Sequence, residues 1–229
     1  MVRGYSFRPR VWTVAAAAAA CAAGISLGNW QTRRGEEKLA LARQFDASLK
    51  APAITIPATP VDPGELIHKH VAATGTFARE HTVYLDNRNR GGKPGYEVVT
   101  PLLLSPSLGV LVQRGWIERS QREAVRTPKG VVRIEGLALE RLPHALNVGS
   151  SESGSIRQNL DIAPFSREIG ISLQPVVIQQ RSDDGDGLAR DWPRPDFGID
   201  MHRAYAVQWY ALAALAVVLG IVFSFRRVT

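Results

Sequence analysis

Residues 200–225 read DMHRAYAVQWYALAALAVVLGIVFSF, and they contain the last long apolar run of the chain. The run at 207–225 has 19 residues. At about 1.5 Å per residue, a helix of this length approaches the roughly 30 Å hydrocarbon thickness of a membrane. Backbone groups in lipid must form their hydrogen bonds within the segment, so this run is predicted to be a transmembrane helix.

A second apolar run, VWTVAAAAAACAAGISLGN at residues 11–29, predicts another transmembrane helix near the opposite end of the chain. A cleaved signal peptide is the alternative, because a basic segment precedes alanines that offer cleavage sites. The run continues past Cys21 through Ile25 and Leu27, and this length favours a retained anchor. Cys21 is the only cysteine, so no intramolecular disulfide is expected.

The net charge of +7 comes mainly from the flanks of the two runs, which contain no acidic residue. Five arginines lie there: Arg3, Arg8, Arg10, Arg226 and Arg227. Without them residues 30–205 carry a net charge of +2, too little to predict a nucleic-acid partner. The flanking arginines predict cytoplasmic tails at 1–10 and 226–229, with the middle of the chain outside. Arg33, Arg34 and Lys38 argue in the opposite direction.

The segment between the two runs, residues 30–206, is predicted to form a β-rich domain. Runs of β-branched and aromatic residues, separated by glycine and proline, predict strands at 71–77, 82–86, 96–104, 110–118, 131–139 and 173–180. Residues 35–50 and 164–169 predict short helices. The predicted fold class is an α+β membrane protein, in which two transmembrane helices flank a mostly antiparallel β domain outside the cytoplasm.

The sequence contains no recognised catalytic motif, so an enzyme is not expected and no catalytic residue is assigned. RNRGGKPG at residues 88–95 is interpreted as a hairpin loop rather than an anion site. SDDGDG at residues 182–187 is interpreted as a flexible acidic loop, because the glutamate of a calcium loop does not follow it. His68 and His70 lack a third metal ligand nearby.

Aromatic residues accompany a histidine where the last helix begins. His202, Tyr205, Ala206 and Trp209 are spaced i, i+3, i+4, i+7 and therefore share one helical face. One interpretation is an interfacial aromatic belt, which membrane helices carry whatever their function. The other is a haem site, because imidazole binds iron and aromatic rings stack on a porphyrin.

Three motifs occur in a fixed order along the chain. They are GNWQTRR at 28–34, the pair GYEVVTPLL and VLVQRGWI within 95–117, and GLARDWPRPDFGIDMHRAYAVQWYALA at 187–213. From about residue 24 to 225 the sequence resembles the surfeit locus protein 1 family of cytochrome c oxidase assembly factors. The matching positions expected to be structural are Gly28, Gln31, Arg114, Gly115 and Trp116. The sequence departs from the family pattern at Gln113, Asp200, Met201 and Tyr210.

The resemblance implies a non-enzymatic protein of the bacterial inner membrane, with its main domain periplasmic, that delivers or inserts haem a into cytochrome c oxidase. It carries over His202 as the haem ligand, and the haem iron is the only metal expected. Further haem contacts are expected from Trp30, Tyr205, Trp209, Arg34 and Arg203. The expected partners are oxidase subunits and haem a synthase. The alternative is a membrane-anchored scaffold that binds oxidase subunits but no haem.

Overall fold

The computed structural model describes residues 5–145, 153–193 and 197–227, which form two compact units. One unit contains the described residues up to 44 and from 197 onward, and the other contains those within 45–193. In chain order the elements are β1 (Tyr5–Phe7), α1 (Val11–Lys50), β2 (Ile54–Thr55), β3 (His70–Phe77), β4 (Val83–Leu85), β5 (Gly95–Leu103), β6 (Leu108–Glu118), β7 (Val131–Leu139), β8 (Ile156–Arg157), α2 (Ile162–Ile169), β9 (Ser172–Gln180), α3 (Ile199–Val222) and β10 (Phe225–Arg227).

The helical unit contains α3, most of α1 and the strands β1 and β10. α1 and α3 are both long and apolar enough to cross a membrane. Only 11% of each apolar stretch is buried, whereas the core helix of a soluble protein is mostly buried. α1 continues without interruption through residues 35–50, for which the sequence predicted a separate short helix. β1 pairs antiparallel with β10, so these two short strands, one before α1 and one after α3, lie side by side.

The second unit contains an eight-stranded sheet in the order β2-β3-β7-β9-β6-β5-β4-β8. β3 also pairs with β5 at its far end, through Thr76–Leu103 and Phe77–Leu102, and this pairing closes a ring of five strands. One cluster of apolar side chains from these strands, including Val71, Val112 and Ile178, forms the main core. A second cluster packs beneath α2, where Phe165 is 2% exposed.

The six predicted strands are all present, with bounds shifted by no more than two residues, and the short helix after residue 160 is present as α2. The prediction of a mostly antiparallel sheet was wrong, because the sheet is mixed. β6 pairs parallel with β9, β2 with β3 and β4 with β8. Between β6 and β9 the chain passes through β7, β8 and α2, and parallel neighbours require a long crossover of this kind.

Candidate functional site

The first turn of α3 places His202 against α1. Its Nδ1 atom lies 2.7 Å from Oε1 of Gln31, which is 9% exposed. Gly35 faces the same histidine one helical turn further along α1, where an added Cβ would lie 3.7 Å from the His202 Cβ. Gln31 therefore holds the imidazole from one side, and buried Gly35 packs close to the same histidine.

This hydrogen bond determines which ring nitrogen of His202 is available. An amide oxygen only accepts hydrogen bonds, so Nδ1 of the imidazole must carry the hydrogen and donate it. In the neutral ring Nε2 then keeps its lone pair. Metal-binding histidines are oriented in this manner, by donating the other ring N–H to a fixed oxygen. The arrangement is suited to coordinating a metal ion such as the iron of a haem.

Small residues bring α1 and α3 close enough for this contact. A Cβ added at Gly24 would lie 2.9 Å from the Ala213 Cβ, and one at Gly28 would lie 2.5 Å from the ring of Tyr210. The helices are antiparallel, since residues later in α1 contact residues earlier in α3. Gly28 was expected to be structural, but the role of Gly24 was missed, although the Gly-x-x-x-Gly spacing of residues 24–28 is a known signal for close helix packing.

The aromatic residues predicted to surround a haem lie at the same end of the helix pair. Trp30 and Tyr205 are 45% and 46% exposed, and Trp209 is partly buried. Gln31, rather than Trp30, contacts the imidazole. Tyr205 and Trp209 follow His202 on the same helical face, and Tyr205 is the more exposed of the two.

Two arginines near the histidine are held only weakly. Arg34 pairs with Glu37 at 2.8 Å, and Arg203 lies 3.9 Å from Asp200. The side chains of both arginines are more than half exposed. Exposed ion pairs of this kind contribute less than about 1 kcal/mol, so either guanidinium can turn to another carboxylate at small cost.

The Arg-Gly-Trp motif lies on β6 in the β-rich unit, and its arginine is fully buried. Arg114 donates from Nη2 to Oδ2 of Asp186 at 2.7 Å and to the Arg126 carbonyl, and from Nη1 to Thr127. Burial lowers the pKa of Arg114, and the charge of Asp186 opposes that shift. Arg114 is thus paired with a buried acid and also donates to a backbone carbonyl, and these contacts tie β6 to two neighbouring segments.

The same contact corrects the interpretation of the acidic loop at residues 182–187. Asp186 is 3% exposed and accepts hydrogen bonds from both Arg114 and Arg190. At Gly115, an added Cβ would lie 2.6 Å from the Leu188 Cβ, so the loop packs tightly on β6. The buried end of this loop is a structural attachment rather than a flexible segment.

Comparison with known proteins identifies the family. The sequence profile of the SURF1 family matches residues 18–214. The chain belongs to the SURF1 family. A SURF1-like protein of Rickettsia conorii is 26% identical over 211 residues, which cover 88% of this chain and 87% of the relative. Surfeit locus protein 1 of Xenopus tropicalis is 25% identical over 226 residues, 84% of this chain and 69% of the relative.

A shorter match is to the yeast protein named cytochrome oxidase assembly protein SHY1. It is 30% identical over 98 residues, which cover 42% of this chain and 25% of that protein. The resemblance inferred from the three sequence motifs is therefore confirmed at the level of the SURF1 family.

Two of the positions noted as departures from the family pattern make polar contacts. Tyr210 donates its hydroxyl hydrogen to Oδ1 of Asn29 at 2.8 Å, which is a polar contact between α1 and α3. Gln113 donates to Glu97 at 2.8 Å and accepts from Gln179 at 3.3 Å.

Proposed function

We propose that this protein is a membrane-anchored assembly factor for haem-copper cytochrome c oxidase, and that it binds haem a through His202 before the haem enters the oxidase. The family membership and the name of the yeast relative support the assembly role. The observation that carries the haem proposal is the hydrogen bond from His202 Nδ1 to Gln31, because it leaves Nε2 free to bind iron.

The residues around His202 fit a haem. Imidazole nitrogen is a common axial ligand of haem iron. The exposed rings of Trp30 and Tyr205 offer apolar contact to a flat ligand. Arg34 and Arg203 are the cations able to pair with carboxylates of such a ligand. When bound, the haem supplies the redox-active iron that the oxidase requires.

The form of the site agrees with transfer rather than permanent storage. Only one cysteine is present in the sequence, so a CxxCH haem attachment is impossible and a haem would be held without a covalent bond. A single histidine held by a neutral amide gives a ligand that can be exchanged for another. A haem a synthase is then the natural source of the haem, and the oxidase subunits receive it.

The proposal places α1 and α3 across the bacterial inner membrane, with both termini cytoplasmic and the β-rich unit periplasmic. The antiparallel helices and the β1–β10 pairing support a topology in which both termini lie on the same side of the membrane. The arginines that flank the apolar runs support the cytoplasmic side. The close contact of Gly24 and Gly28 with α3 supports retention of the first helix over its removal as a signal peptide.

The experiment is purification of the protein from cells that make haem a, with a haem spectrum of the purified sample. Haem a that co-purifies in a fixed ratio to protein supports the proposal. The scaffold alternative makes a different prediction, namely that oxidase subunits co-purify fully with a protein that carries no haem. Parallel purification from cells unable to make haem a distinguishes the haem-delivery function from the scaffold function. A scaffold should bind oxidase subunits whether or not haem a is present.

A further inference from the structure

A polar cleft of about 440 Å³ lies in the β-rich unit and has no role in the proposed haem site. It is lined by residues 87–91, which follow β4, and by Glu97, Asp191 and Pro193. Two arginines, Arg88 and Arg90, supply its cationic groups, and Glu97 and Asp191 supply its anionic groups. The cleft lies in the sequence segment that was interpreted as a simple hairpin loop.

Arg90 is held rigidly at this cleft. Its guanidinium carbon lies 5.0 Å from the ring centre of Trp192 and 5.8 Å from that of Trp116. Nη1 donates to Oδ1 of Asp191 at 2.6 Å. Nη2 is buried and has no hydrogen-bond acceptor among the described residues. The two aromatic rings fix the plane of the guanidinium, so its second donor keeps a constant direction.

Arg88 presents a second donor without a hydrogen bond at the same cleft, the Nε atom that forms an ion pair with Glu97. Its side chain is only 10% exposed, and Nη2 donates to the carbonyls of Pro143 and Gln158. Nε is buried and lies 3.3 Å from Oε2 of Glu97 without forming a hydrogen bond. That carboxylate oxygen already accepts a hydrogen bond from Gln113. Both arginines therefore have an N–H group that lacks an acceptor within the described part of the protein.

We propose that this cleft binds a carboxylate group, which accepts hydrogen bonds from Arg90 and Arg88. Carboxylates match the forked geometry of guanidinium groups and provide the missing acceptors. The two arginines balance the charges of Glu97 and Asp191, so a singly charged carboxylate is favoured over a more highly charged phosphate. Asp191 already binds one edge of Arg90 as a carboxylate, which shows that this guanidinium can be approached from the cleft side.

A cleft of this size holds one acidic side chain or one small organic acid, but not a folded partner. The carboxylate can come from a small molecule or from a peptide segment of another protein. The proposal does not depend on the haem function, because it uses none of the residues of the helical unit.

The test is calorimetric titration of the purified full-length protein in detergent. The probes are succinate, the uncharged analogue succinamide, and a short capped peptide with one glutamate. Saturable binding of succinate or the peptide, with no binding of succinamide, is expected for wild type. Tighter binding of succinate identifies a small acid as the better ligand, and tighter binding of the peptide identifies a protein segment. Absence of saturable binding by both acidic probes overturns the proposal.

Matched variants distinguish binding at a specific site from a general effect of charge. Arg90→Met is expected to weaken binding by about tenfold or more, which corresponds to the loss of a charge-assisted hydrogen bond. Lys93→Met removes the same charge from the same loop, but Lys93 is 66% exposed and pairs with Glu118 outside the cleft. It should change the dissociation constant by less than about twofold. Equal weakening by both variants contradicts the proposal.

A third variant tests the proposal without destabilising the fold. Asp191 is 78% exposed, so Asp191→Asn should leave the fold intact while removing the carboxylate that competes for Arg90. Binding of the acidic probe should become tighter than in wild type. Binding that is unchanged or weaker in this variant, with an unaltered melting temperature, also contradicts the proposal.

Discussion

Nδ1 of His202 lies 2.7 Å from Oε1 of Gln31, although the two residues are 171 positions apart in the chain. The contact joins the last helix to the first and involves an amide group that is almost fully buried. It sets both the direction of the imidazole ring and the nitrogen that carries its hydrogen. The haem proposal therefore depends on the packing of the two helices as much as on the histidine itself.

Replacement of Gln31 tests this positioning. Gln31→Leu removes the acceptor for Nδ1, and haem affinity is expected to fall by roughly 10–100-fold, as it does when such supporting residues are lost. Gln31→Glu keeps an acceptor but makes it anionic, so haem is retained and its reduction potential is expected to shift downward. Absorbance titration and redox titration measure the two effects. Gln208→Leu is the matched control, because Gln208 is exposed on α3, and it should leave both quantities unchanged.

Replacement of Gly28 tests the close approach of the helices. In Gly28→Val the new side chain would overlap the ring of Tyr210, since a Cβ alone would lie 2.5 Å from it. Overpacking of this kind costs about 1–3 kcal/mol, and co-purifying haem should decrease with it. Thermal unfolding of the helical unit in detergent measures the change. Ala23→Val, at an exposed position of the same helix, serves as control, and equal destabilisation by both variants would contradict the packing argument.

The sequence predicted the helices and strands well because their signals are local. The apolar run at 207–225 and the alternating residues of β7 each define an element without reference to the rest of the chain. Pairing between distant elements has no such signal. Neither the parallel pairing of β6 with β9 nor the contact of Gln31 with His202 can be derived from spacing, since both depend on how the chain folds back.

The same limit applies to the site residues. His202 was expected as the haem ligand from the family resemblance, and its helical spacing with Tyr205 and Trp209 left an aromatic belt open as the alternative. Gln31 was considered only structural. Asp186 was missed because it lies in a polar, glycine-containing segment that is typical of solvated loops. Its burial is caused by Arg114 on β6, a residue 72 positions earlier in the sequence.

Replacement of Asp186 is expected to destabilise the β-rich unit strongly. Asp186→Asn leaves Arg114 and Arg190 buried without their shared carboxylate, and breaking a buried ion pair on one side costs about 3–5 kcal/mol. Denaturant unfolding measures the loss. Asp183→Asn, in the same loop but 88% exposed, should change stability by less than about 0.5 kcal/mol. A small effect at Asp186 would show that the arginines find other partners.

The ion pair between Arg157 and Glu168 predicts a pH dependence of stability. A hydrogen bond from Arg157 lowers the pKa of Glu168 below its ordinary value of 4.5, and the charge of Arg157 acts in the same direction. A lowered pKa in the folded state stabilises the protein above about pH 4.5, and this contribution is lost as the pH falls through the folded-state pKa. The stability difference between wild type and Glu168→Gln should therefore shrink below pH 4.5. A difference that is constant from neutral to acidic pH contradicts this assignment.

His202 is the residue proposed to bind the haem iron. His202→Ala removes the ligand but also leaves the buried Gln31 oxygen without its donor, which costs about 1–3 kcal/mol. His202→Asn is the better variant, because its side-chain amide can still donate to Gln31 and does not replace imidazole as an iron ligand. His144→Asn is the control, since His144 is an exposed histidine in the β-rich unit.

The most direct measurement is the haem spectrum of wild type, His202→Asn and His144→Asn, each purified at equal protein concentration from cells that make haem a. Haem a is expected in wild type and in the His144 variant and should be lost from the His202 variant, with similar protein yield and melting temperature in all three. Wild-type haem content and an unchanged spectrum in the His202 variant would rule out His202 as the ligand and favour the scaffold function.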